Sequence, residues 1–375
     1  MTIEHPASLP VRLGDLDLAN RFAVAPMTRV SAAPDGTPTA EMADYYAAYA
    51  EGGFGLVITE GTYTDTVYSQ GYLNQPGIAS DVHAGAWRAV TERVHAAGSR
   101  AVLQLMHAGA LSQGNRHRDD TAGPSEVPPL GEKMPEYGGH GPWATPKAMT
   151  QDDIDVAVRG FADSAVRALD AGFDGVEVHG ANGYLLDQFL TAYTNTRDDS
   201  YGGPVANRVR LAAEVVAAIR AEVGPEFCVG VRLSQTKVND FVYRWPGGAY
   251  DARIIFTALA EAGATYLHIA SEGRDWIETA RLDGETTITG LARLATGLPV
   301  IANGGMHELS QAAQVLRDGH ADLVSIGRGA LANSDLPRRV AGDRPLEAFD
   351  HMMLQPMATL ANAAQWRQAA ARVAV

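Results

Sequence analysis

Eight short apolar runs recur along this chain of 375 residues, and stretches with helical periodicity separate them. The runs are rich in β-branched residues and almost continuous in apolar character, as is typical of parallel strands covered on both faces. They are FAVAP (22–26), LVITE (56–60), AVLQL (101–105), GVEVH (175–179), VGVRL (229–233), YLHIA (266–270), PVIAN (299–303) and DLVSI (322–326). Eight strands alternating with about eight helices predict an α/β fold, the (β/α)8 or TIM barrel.

The helical stretches have readable ends. Thr150 and Asp153 form the pattern of a capping box, and Gly172 ends the helix that follows. A second helix is predicted over residues 81–97, with an inward face that carries Val82, Ala86, Val90 and Val94. A doubly wound Rossmann sheet is the alternative fold, but the G-x-G-x-x-G pattern that it needs after its first strand does not occur there.

Three segments stand outside the repeating units of the predicted barrel. Residues 13–18, with a turn at Gly14 and Asp15, are expected to form a small hairpin at the bottom of the barrel. Residues 106–149 show little periodicity, and a loop of that length in a compact domain is usually functional, so we predict a lid there. Residues from about 333 to 375 are predicted to form a helical tail, and the whole chain, 1–375, to be one domain.

The composition restricts the class of protein. Hydrophobic residues make up 46% of the chain, which is enough for a large buried core. No run of about eighteen apolar residues predicts a membrane span, and the first residues lack the pattern of a signal peptide. The net charge of −14 argues against general nucleic-acid binding. Cys228 is the only cysteine, which excludes an internal disulfide and a cysteine-held iron–sulfur cluster and favours a cytoplasmic protein.

Glycines follow the last two predicted strands, where barrels frequently bind phosphate. Gly304 and Gly305 follow one strand, and Gly327 with Arg328 follows the other. Glycine lets backbone N–H groups approach a phosphate at the start of the next helix, and Arg328 can add a charge-assisted pair. The alternative is that the glycines only make tight turns. We favour a phosphate site.

Six further residues end the first, second, third and fifth predicted strands and would surround the barrel mouth: Pro26, Met27, Thr28, Gly61, Gln104 and Arg232. The Gln104 amide has a donor and an acceptor for a pyrimidine-like edge. Arg232 can place positive charge beside a ring that becomes anionic on reduction. Each residue alone could belong to a polar layer of the barrel core. Together with a phosphate site, they favour a mononucleotide cofactor with a flat polar ring.

The fourth predicted strand ends at His179, and Asn182 and Tyr184 follow closely. Two donors that converge on a carbonyl oxygen would stabilise the enolate-like charge that develops when hydride reaches the β-carbon. A phenol with an ordinary pKa of about 10 keeps its proton at neutral pH and can donate it to the α-carbon. The alternatives are a satisfied strand-end histidine, an N-cap asparagine and a packed tyrosine. No metal-binding or nucleophile motif appears in the sequence.

These motifs resemble the signature of the Old Yellow Enzyme family of flavin mononucleotide (FMN) oxidoreductases, over about residues 8–340. The matching segments are NRFAVAPMTR (20–29), ITEGTY (58–63), QLMHAG (104–109), HGANGYLLDQFL (179–190), NTRDDSYGG (195–203), VRLS (231–234), NGG (303–305) and IGRGALANSDLP (326–337). Thr28 in place of a cysteine resembles the branch typified by the yeast and plant enzymes. The single cysteine excludes the branch with an iron–sulfur cluster.

The resemblance implies that FMN binds non-covalently over the barrel mouth and is reduced by NADPH or NADH before an unsaturated small molecule enters. The flavin would contact Pro26, Met27, Thr28 and Gly61, its pyrimidine side Gln104 and Arg232, and its phosphate Gly304, Gly305, Gly327 and Arg328. The substrate carbonyl or nitro oxygen would be bound by His179 and Asn182, and Tyr184 would donate the proton. The implied reaction is reduction of the C=C bond of an α,β-unsaturated carbonyl or nitro compound.

Other functions stay open at the level of the sequence. The same fold and cofactor could serve reductive denitration, or desaturation of a biosynthetic intermediate in the oxidative direction. A flavin-free lyase or isomerase with Tyr184 as its acid is a more remote alternative, and so is a non-catalytic redox sensor. The natural substrate, the choice between NADPH and NADH, and the oligomeric state have no signal in the sequence.

Overall fold

A computed structural model describes residues 4–271, 280–284 and 286–373 of the chain, with side chains as far as residue 370. Eight parallel strands form a closed ring: Phe22–Val24 (β1), Leu56–Ile58 (β2), Arg100–Met106 (β3), Gly175–Asn182 (β4), Cys228–Lys237 (β5), Tyr266–Ala270 (β6), Val300–Asn303 (β7) and Leu323–Ile326 (β8). Each strand pairs with the next in this order, and β8 pairs with β1. The predicted TIM barrel is confirmed.

All eight predicted strands are present, although several ends differ. β1 stops at Val24, before Pro26, because proline has no N–H to give to the ladder. β4 and β5 run beyond their predicted ends to Asn182 and Lys237, and these two residues are paired. The two strands therefore carry the candidate substrate-binding residues in or next to hydrogen-bonded sheet rather than on a mobile loop.

Helices surround the barrel and follow its strands. They are Ala40–Glu51 (α1), Asp81–Ala96 (α2), Gln151–Asp170 (α3), Leu185–Leu190 (α4), Val205–Arg208 (α5), Arg210–Val223 (α6), Ala249–Glu261 (α7), Ile288–Thr296 (α8), Leu309–Arg317 (α9), Arg328–Ala332 (α10), Leu336–Ala341 (α11) and Leu360–Val373 (α12). The capping box predicted at Thr150 and Asp153 begins α3. None of the helices described is long and apolar enough to cross a membrane.

The buried face of α2 differs from the predicted one. Val82 was expected to face inward but is 68% exposed, while His83 and Trp87 are buried. The Trp87 indole donates to the Gly77 carbonyl and packs against Tyr46. A buried indole contributes far more contact area than a valine, so Trp87 sets the rotation of the helix. Val90 and Val94 lie in the core as predicted.

The predicted hairpin closes the bottom of the barrel. Val11–Leu13 pairs antiparallel with Leu16–Leu18. Leu13 and Leu18 form an apolar cluster with residues near the starts of the barrel strands, Cys228 and Tyr266 among them. Because this end is filled with apolar side chains, the opening of the barrel lies at the carboxyl ends of its strands, where barrel active sites form.

Two segments lie over that opening. The predicted lid contains the 310 helices Gly109–Leu111 and Pro135–Tyr137 and the paired two-residue strands Ala122–Gly123 and Lys147–Ala148. The tail contributes the 310 helix His351–Leu354 and then α12. Arg29 ties this tail to the loop after β1, since its guanidinium donates to the backbone carbonyls of Ala358 (2.9 Å) and Thr359 (3.1 Å).

Candidate active site

A cavity of about 1020 Å³ lies at the carboxyl ends of the barrel strands. Ten of the thirteen predicted site residues line it: Pro26, Met27, Thr28, Gly61, Gln104, His179, Asn182, Tyr184, Arg232 and Arg328. Small-molecule and cofactor sites usually span about 300–1,000 Å³. The volume is therefore large enough for a cofactor together with a substrate.

The three remaining residues, Gly304, Gly305 and Gly327, do not line this cavity. They follow β7 and β8, and Gly327 directly precedes Arg328, which does line it. Gly304 and Gly305 have φ angles of 121° and 64°, which favour glycine over other residues. Their part in phosphate binding stays a prediction.

His179 is a buried, neutral donor. Its Nδ1 accepts the backbone N–H of Ala181 at 3.4 Å, which places the ring proton on Nε2. Burial lowers the pKa of His179 to about 3, and the nearby positive charge of Arg232 acts in the same direction. The imidazole therefore stays uncharged at physiological pH, and its Nε2–H can donate to a ligand in the cavity that the ring lines.

Asn182 has a left-handed backbone, with φ of 63°, a conformation that asparagine tolerates better than most residues. Its N–H donates to Ser234 Oγ at 2.8 Å, and that hydroxyl donates to the Thr236 carbonyl at 2.6 Å. Asn182 Oδ1 is buried without a hydrogen-bond partner in the described part of the chain. An unmade bond of this kind costs about 1–3 kcal/mol, so Asn182 Oδ1 is suited to accept a hydrogen bond from a bound ligand, while the Nδ2 of the same carboxamide can donate one.

A buried ion pair braces the turn that follows Asn182. Asp187 accepts the backbone N–H of Gly183 at 2.7 Å and pairs with Lys237 Nζ at 2.6 Å. Burial raises the pKa of Asp187 and lowers that of Lys237, and the attraction between the two charges opposes both shifts. Because Lys237 is also paired with Asn182 through the sheet, the ion pair fixes the candidate substrate-binding turn to β5.

Tyr184 follows this turn directly and occupies the N-cap position of α4, without a capping hydrogen bond from its side chain. Its ring meets the His179 ring edge to face, with the centroids 4.9 Å apart. Its hydroxyl is hydrogen-bonded to the hydroxyl of Tyr72, a fully buried residue that the sequence analysis did not identify. Tyr72 lies in the loop between Thr62–Tyr63 and α2, where no strand end or motif distinguishes it from a packed aromatic.

A buried polar network lies beneath the cavity and is centred on Glu177, which the sequence analysis also missed. Its carboxylate accepts from Gln104 Nε2 (2.8 Å), Tyr266 Oη (3.0 Å) and His268 Nδ1 (2.8 Å). Burial alone would raise the pKa of Glu177, but His268, Arg232 and Gln104 hold it below its usual value. One N–H of Gln104 is thus used internally, which leaves its second N–H and its carbonyl oxygen for a ligand.

Positive charge lies over this network. Arg232 donates to Asn303 Oδ1 at 2.9 Å, and Asn303 Nδ2 donates in turn to the Ser325 carbonyl at 3.1 Å. Arg232 is 4% exposed, so its guanidinium acts in a largely dry environment. Arg328 is exposed and lines the same cavity. The cavity therefore combines a buried cation at the barrel mouth with a solvent-facing cation.

The ends of β1 and β2 complete the cavity wall. A Cβ atom added to Gly61 would lie 2.4 Å from Met106 Sδ, so only glycine fits there without displacement. Glu60 accepts the backbone N–H of Arg29 at 2.8 Å and the hydroxyl of Tyr46 at 3.1 Å. Burial raises the pKa of Glu60 to about 7. Through its hydrogen bonds to Arg29 and Tyr46, Glu60 holds the loop that presents Thr28 to the cavity.

The cavity fits FMN. Gln104 has one N–H donor and a carbonyl acceptor left for a ligand, Arg232 places a buried positive charge at the mouth, and Gly61 lines one wall. The buried Oδ1 of Asn182 lacks an internal partner among the residues described, as expected of a ligand-binding group. A grouping of His, Cys, Asp and Glu side chains able to hold a metal ion is absent from the described residues.

Known proteins share this fold at substantial sequence identity. Over 352 residues the chain is 35% identical to putative 12-oxophytodienoate reductase 2 of Oryza sativa subsp. japonica, covering 92% of this chain and 89% of that protein. The Old Yellow Enzyme homologue of Zymomonas mobilis superposes with a TM-score of 0.85 at 32% identity, over 95% and 98% of the two chains. Morphinone reductase in complex with tetrahydroNAD gives 0.82 at 34% identity, over 92% and 93%.

The barrel, its cavity and these likenesses define an FMN-dependent oxidoreductase that takes electrons from NADH or NADPH and reduces unsaturated compounds. The model of the NADH:flavin oxidoreductase / NADH oxidase family matches residues 9–347, and the chain belongs to this family. The resemblance to Old Yellow Enzyme is confirmed.

Proposed function

We propose that this enzyme reduces the C=C bond of α,β-unsaturated carbonyl or nitro compounds, with His179, Asn182 and Tyr184 acting on a substrate bound over FMN. The observation that supports this assignment is that all three side chains line one cavity with Thr28, Gly61, Gln104, Arg232 and Arg328. When bound, FMN supplies the hydride that adds to the β-carbon.

The cofactor is held by residues from six strand ends. Pro26, Met27, Thr28 and Gly61, which line the cavity, would form the wall against the ring, and Gln104 and Arg232 would bind its pyrimidine edge. Arg232 would stabilise the negative charge that the ring gains on reduction, because its guanidinium is buried and stays protonated. Gly304, Gly305, Gly327 and Arg328 bind the phosphate.

The substrate oxygen is bound by Nε2–H of His179 and by the Nδ2–H of Asn182. Both groups are buried, so their hydrogen bonds to a developing enolate act in a low dielectric. The neutral state of His179 is important, because a protonated imidazole could transfer its proton to the enolate oxygen. The pKa of about 3 prevents this at working pH.

Tyr184 donates the proton to the α-carbon. Its ring lies against His179, so its hydroxyl is held next to the group that binds the substrate oxygen. Hydride addition and proton transfer then occur on a substrate whose position is fixed by three side chains.

The enzyme acts in the cytoplasm on small molecules, with neither nucleic acid nor membrane as a partner, in keeping with its net charge of −14.

The test is a pair of anaerobic half-reactions on the purified holoenzyme. NADPH, or NADH in a parallel run, should bleach the visible flavin band, and 2-cyclohexenone should restore it. Tyr184→Phe should slow the second step while leaving the first nearly unchanged. An equal loss in both steps would make Tyr184 structural, and a reduced enzyme that responds to a nitrate ester but to no enone would favour denitration.

A further inference from the structure

Tyr72 and Tyr184 form a hydroxyl-to-hydroxyl hydrogen bond inside the active-site wall. The ring of Tyr72 packs against Tyr137 at 4.9 Å between centroids, in an apolar cluster with Met106 and Leu111. Tyr72 is 0% exposed, and Tyr184 is 5% exposed and lines the cavity. Of the two phenols, only Tyr184 therefore faces the space where a substrate binds.

The position of Tyr72 is fixed by buried amides. Gln75 accepts the N–H of Gly71 at 2.7 Å through its side chain, and its Nε2 donates to the carbonyl of Gly61 at 2.7 Å. Gln70 Nε2 donates to the backbone carbonyl of Tyr72 at 3.0 Å. These bonds attach the Tyr72 loop to the cavity wall at Gly61, so the Tyr72 hydroxyl has a defined location beside Tyr184.

The direction of the hydrogen bond follows from the surroundings of Tyr72. Within the described part of the chain, its hydroxyl has Tyr184 as its one hydrogen-bond partner. A buried O–H that does not donate is costly, so the Tyr72 proton points at the oxygen of Tyr184. Tyr184 is then the acceptor, and its own proton is directed away from Tyr72, toward the cavity.

We infer that Tyr72 is a positioning residue for the proton donor: its O–H aims the proton of Tyr184 at the substrate and stabilises the phenolate that remains. This inference rests on the proposed function and extends it. In the step itself, the O–H bond of Tyr184 breaks and a C–H bond forms at the α-carbon of the substrate. The electron pair of the broken bond stays on the Tyr184 oxygen, where it accepts the Tyr72 hydrogen bond, and water restores the proton after product leaves.

The electrostatics support this arrangement. Burial, together with the neighbouring Tyr184, raises the pKa of Tyr72 well above its usual value. Tyr72 therefore stays protonated throughout the working range and remains a donor at every stage of the reaction. The ring of His179, which contacts that of Tyr184, is neutral and adds no positive charge beside the phenol.

The experiment compares Tyr72→Phe, Tyr184→Phe and the double variant with wild-type holoenzyme in anaerobic stopped flow. Tyr72→Phe removes a hydrogen bond to the negatively charged oxygen that forms on Tyr184 during proton transfer. Its loss should slow flavin reoxidation by 2-cyclohexenone roughly 10- to 100-fold. The solvent kinetic isotope effect of that step should rise, since proton transfer becomes more rate-limiting. Reduction by NADPH or NADH, and reoxidation by ferricyanide, should keep their wild-type rates because neither protonates a carbon of the substrate.

The double variant separates positioning from a general structural role. If Tyr72 acts through Tyr184, the double variant is no slower than Tyr184→Phe alone. Tyr63→Phe is the matched control. Tyr63 is also 0% exposed, but its hydroxyl donates to the Asp35 carbonyl, and Tyr63 does not line the cavity. The Tyr63→Phe variant should therefore be reoxidised at the wild-type rate.

Three results would overturn the inference. These are a wild-type reoxidation rate in Tyr72→Phe, an unchanged isotope effect, or additive losses in the double variant. A wild-type enzyme that enones fail to reoxidise would overturn the proposed function as well. If enones do reoxidise the wild-type enzyme and one of the three results is found, the inference about Tyr72 is wrong while the proposed function stands.

Discussion

The lowered pKa of His179 predicts how the free energy of unfolding depends on pH. In the folded protein its pKa is about 3, against an ordinary value of 6.5. Below pH 6.5 the unfolded chain therefore binds a proton at this residue that the folded chain does not. By linkage, the His179 contribution to the free energy of unfolding falls as pH falls, starting near pH 6.5 and continuing to about pH 3.

The size of the effect follows from the two pKa values. At pH 5 the unfolded histidine is about 1.5 units below its pKa while the folded one is still neutral. One pKa unit corresponds to about 1.4 kcal/mol, so His179 alone should destabilise the protein by about 2 kcal/mol at pH 5 relative to pH 7.5.

The perturbation that isolates this contribution is His179→Asn, which removes the titrating ring and keeps a polar side chain. Urea unfolding of wild type and variant would be followed at pH 7.5, 6 and 5, with the same excess of FMN throughout. The variant should lose about 2 kcal/mol less than wild type between pH 7.5 and pH 5. His140→Asn, a change at an exposed histidine in the lid segment, controls for loss of an imidazole as such.

Parallel curves for wild type and His179→Asn would refute the reasoning, since His179 would then titrate alike in both states. The same outcome would weaken the assignment of His179 as an uncharged donor to the substrate oxygen. A related check uses a phenol that mimics the enolate: between pH 5 and pH 8, its affinity should not change through protonation of His179.

Three further predictions follow from other buried groups. The pKa of Glu60 is raised from 4.5 to about 7, so around neutral pH the folded state holds a proton that the unfolded state has lost. Between pH 6 and pH 8 the free energy of unfolding of wild type should therefore fall by about 1.3 kcal/mol relative to that of Glu60→Gln, measured by urea unfolding. Lys237→Met leaves Asp187 buried without its partner and should lower the free energy of unfolding by about 3–5 kcal/mol. Adding Asp187→Leu to this variant should restore part of the loss. Equal stability of Lys237→Met and wild type would contradict this prediction. Gly61→Ala places a methyl group 2.4 Å from Met106 Sδ, so FMN titration should show weaker binding, and adding Met106→Ala should recover some of it.

The sequence predicted the barrel because its strands are unusually easy to recognise. Parallel strands buried on both faces need nearly continuous apolar residues, and β6 shows this clearly, with all five of its residues buried. The barrel mouth was predictable for the same reason, since strand ends in a barrel meet at one face. Val82 shows where the reasoning failed: periodicity gave several acceptable faces for α2, and the single indole of Trp87 decided between them.

The residues that sequence reasoning missed act through contacts distant in the chain. Glu177 stands inside an apolar strand run, and its partners Gln104 and His268 lie on other strands. Tyr72 lies 112 positions from Tyr184, and no local spacing indicates that their hydroxyls meet. His351, Leu354 and Ala358 reach the cavity from a tail whose alanine-rich sequence carries no such signal. Such residues become visible only once the topology has placed them.

The hydrogen bonds from Arg29 to the tail determine when the cavity wall is completed during biosynthesis. The cavity wall combines Pro26 to Arg29, made early, with His351 to Ala358, made more than 300 residues later, and Arg29 joins the two through Ala358 and Thr359. Chains are synthesised from the N-terminus, at about 5–20 residues per second. A ribosome-bound chain that has completed its eighth strand still lacks one side of the pocket. The residues assigned to the flavin are all made before the tail, but the wall that His351, Leu354 and Ala358 contribute is added last, so the cavity reaches its final shape only after synthesis of the tail.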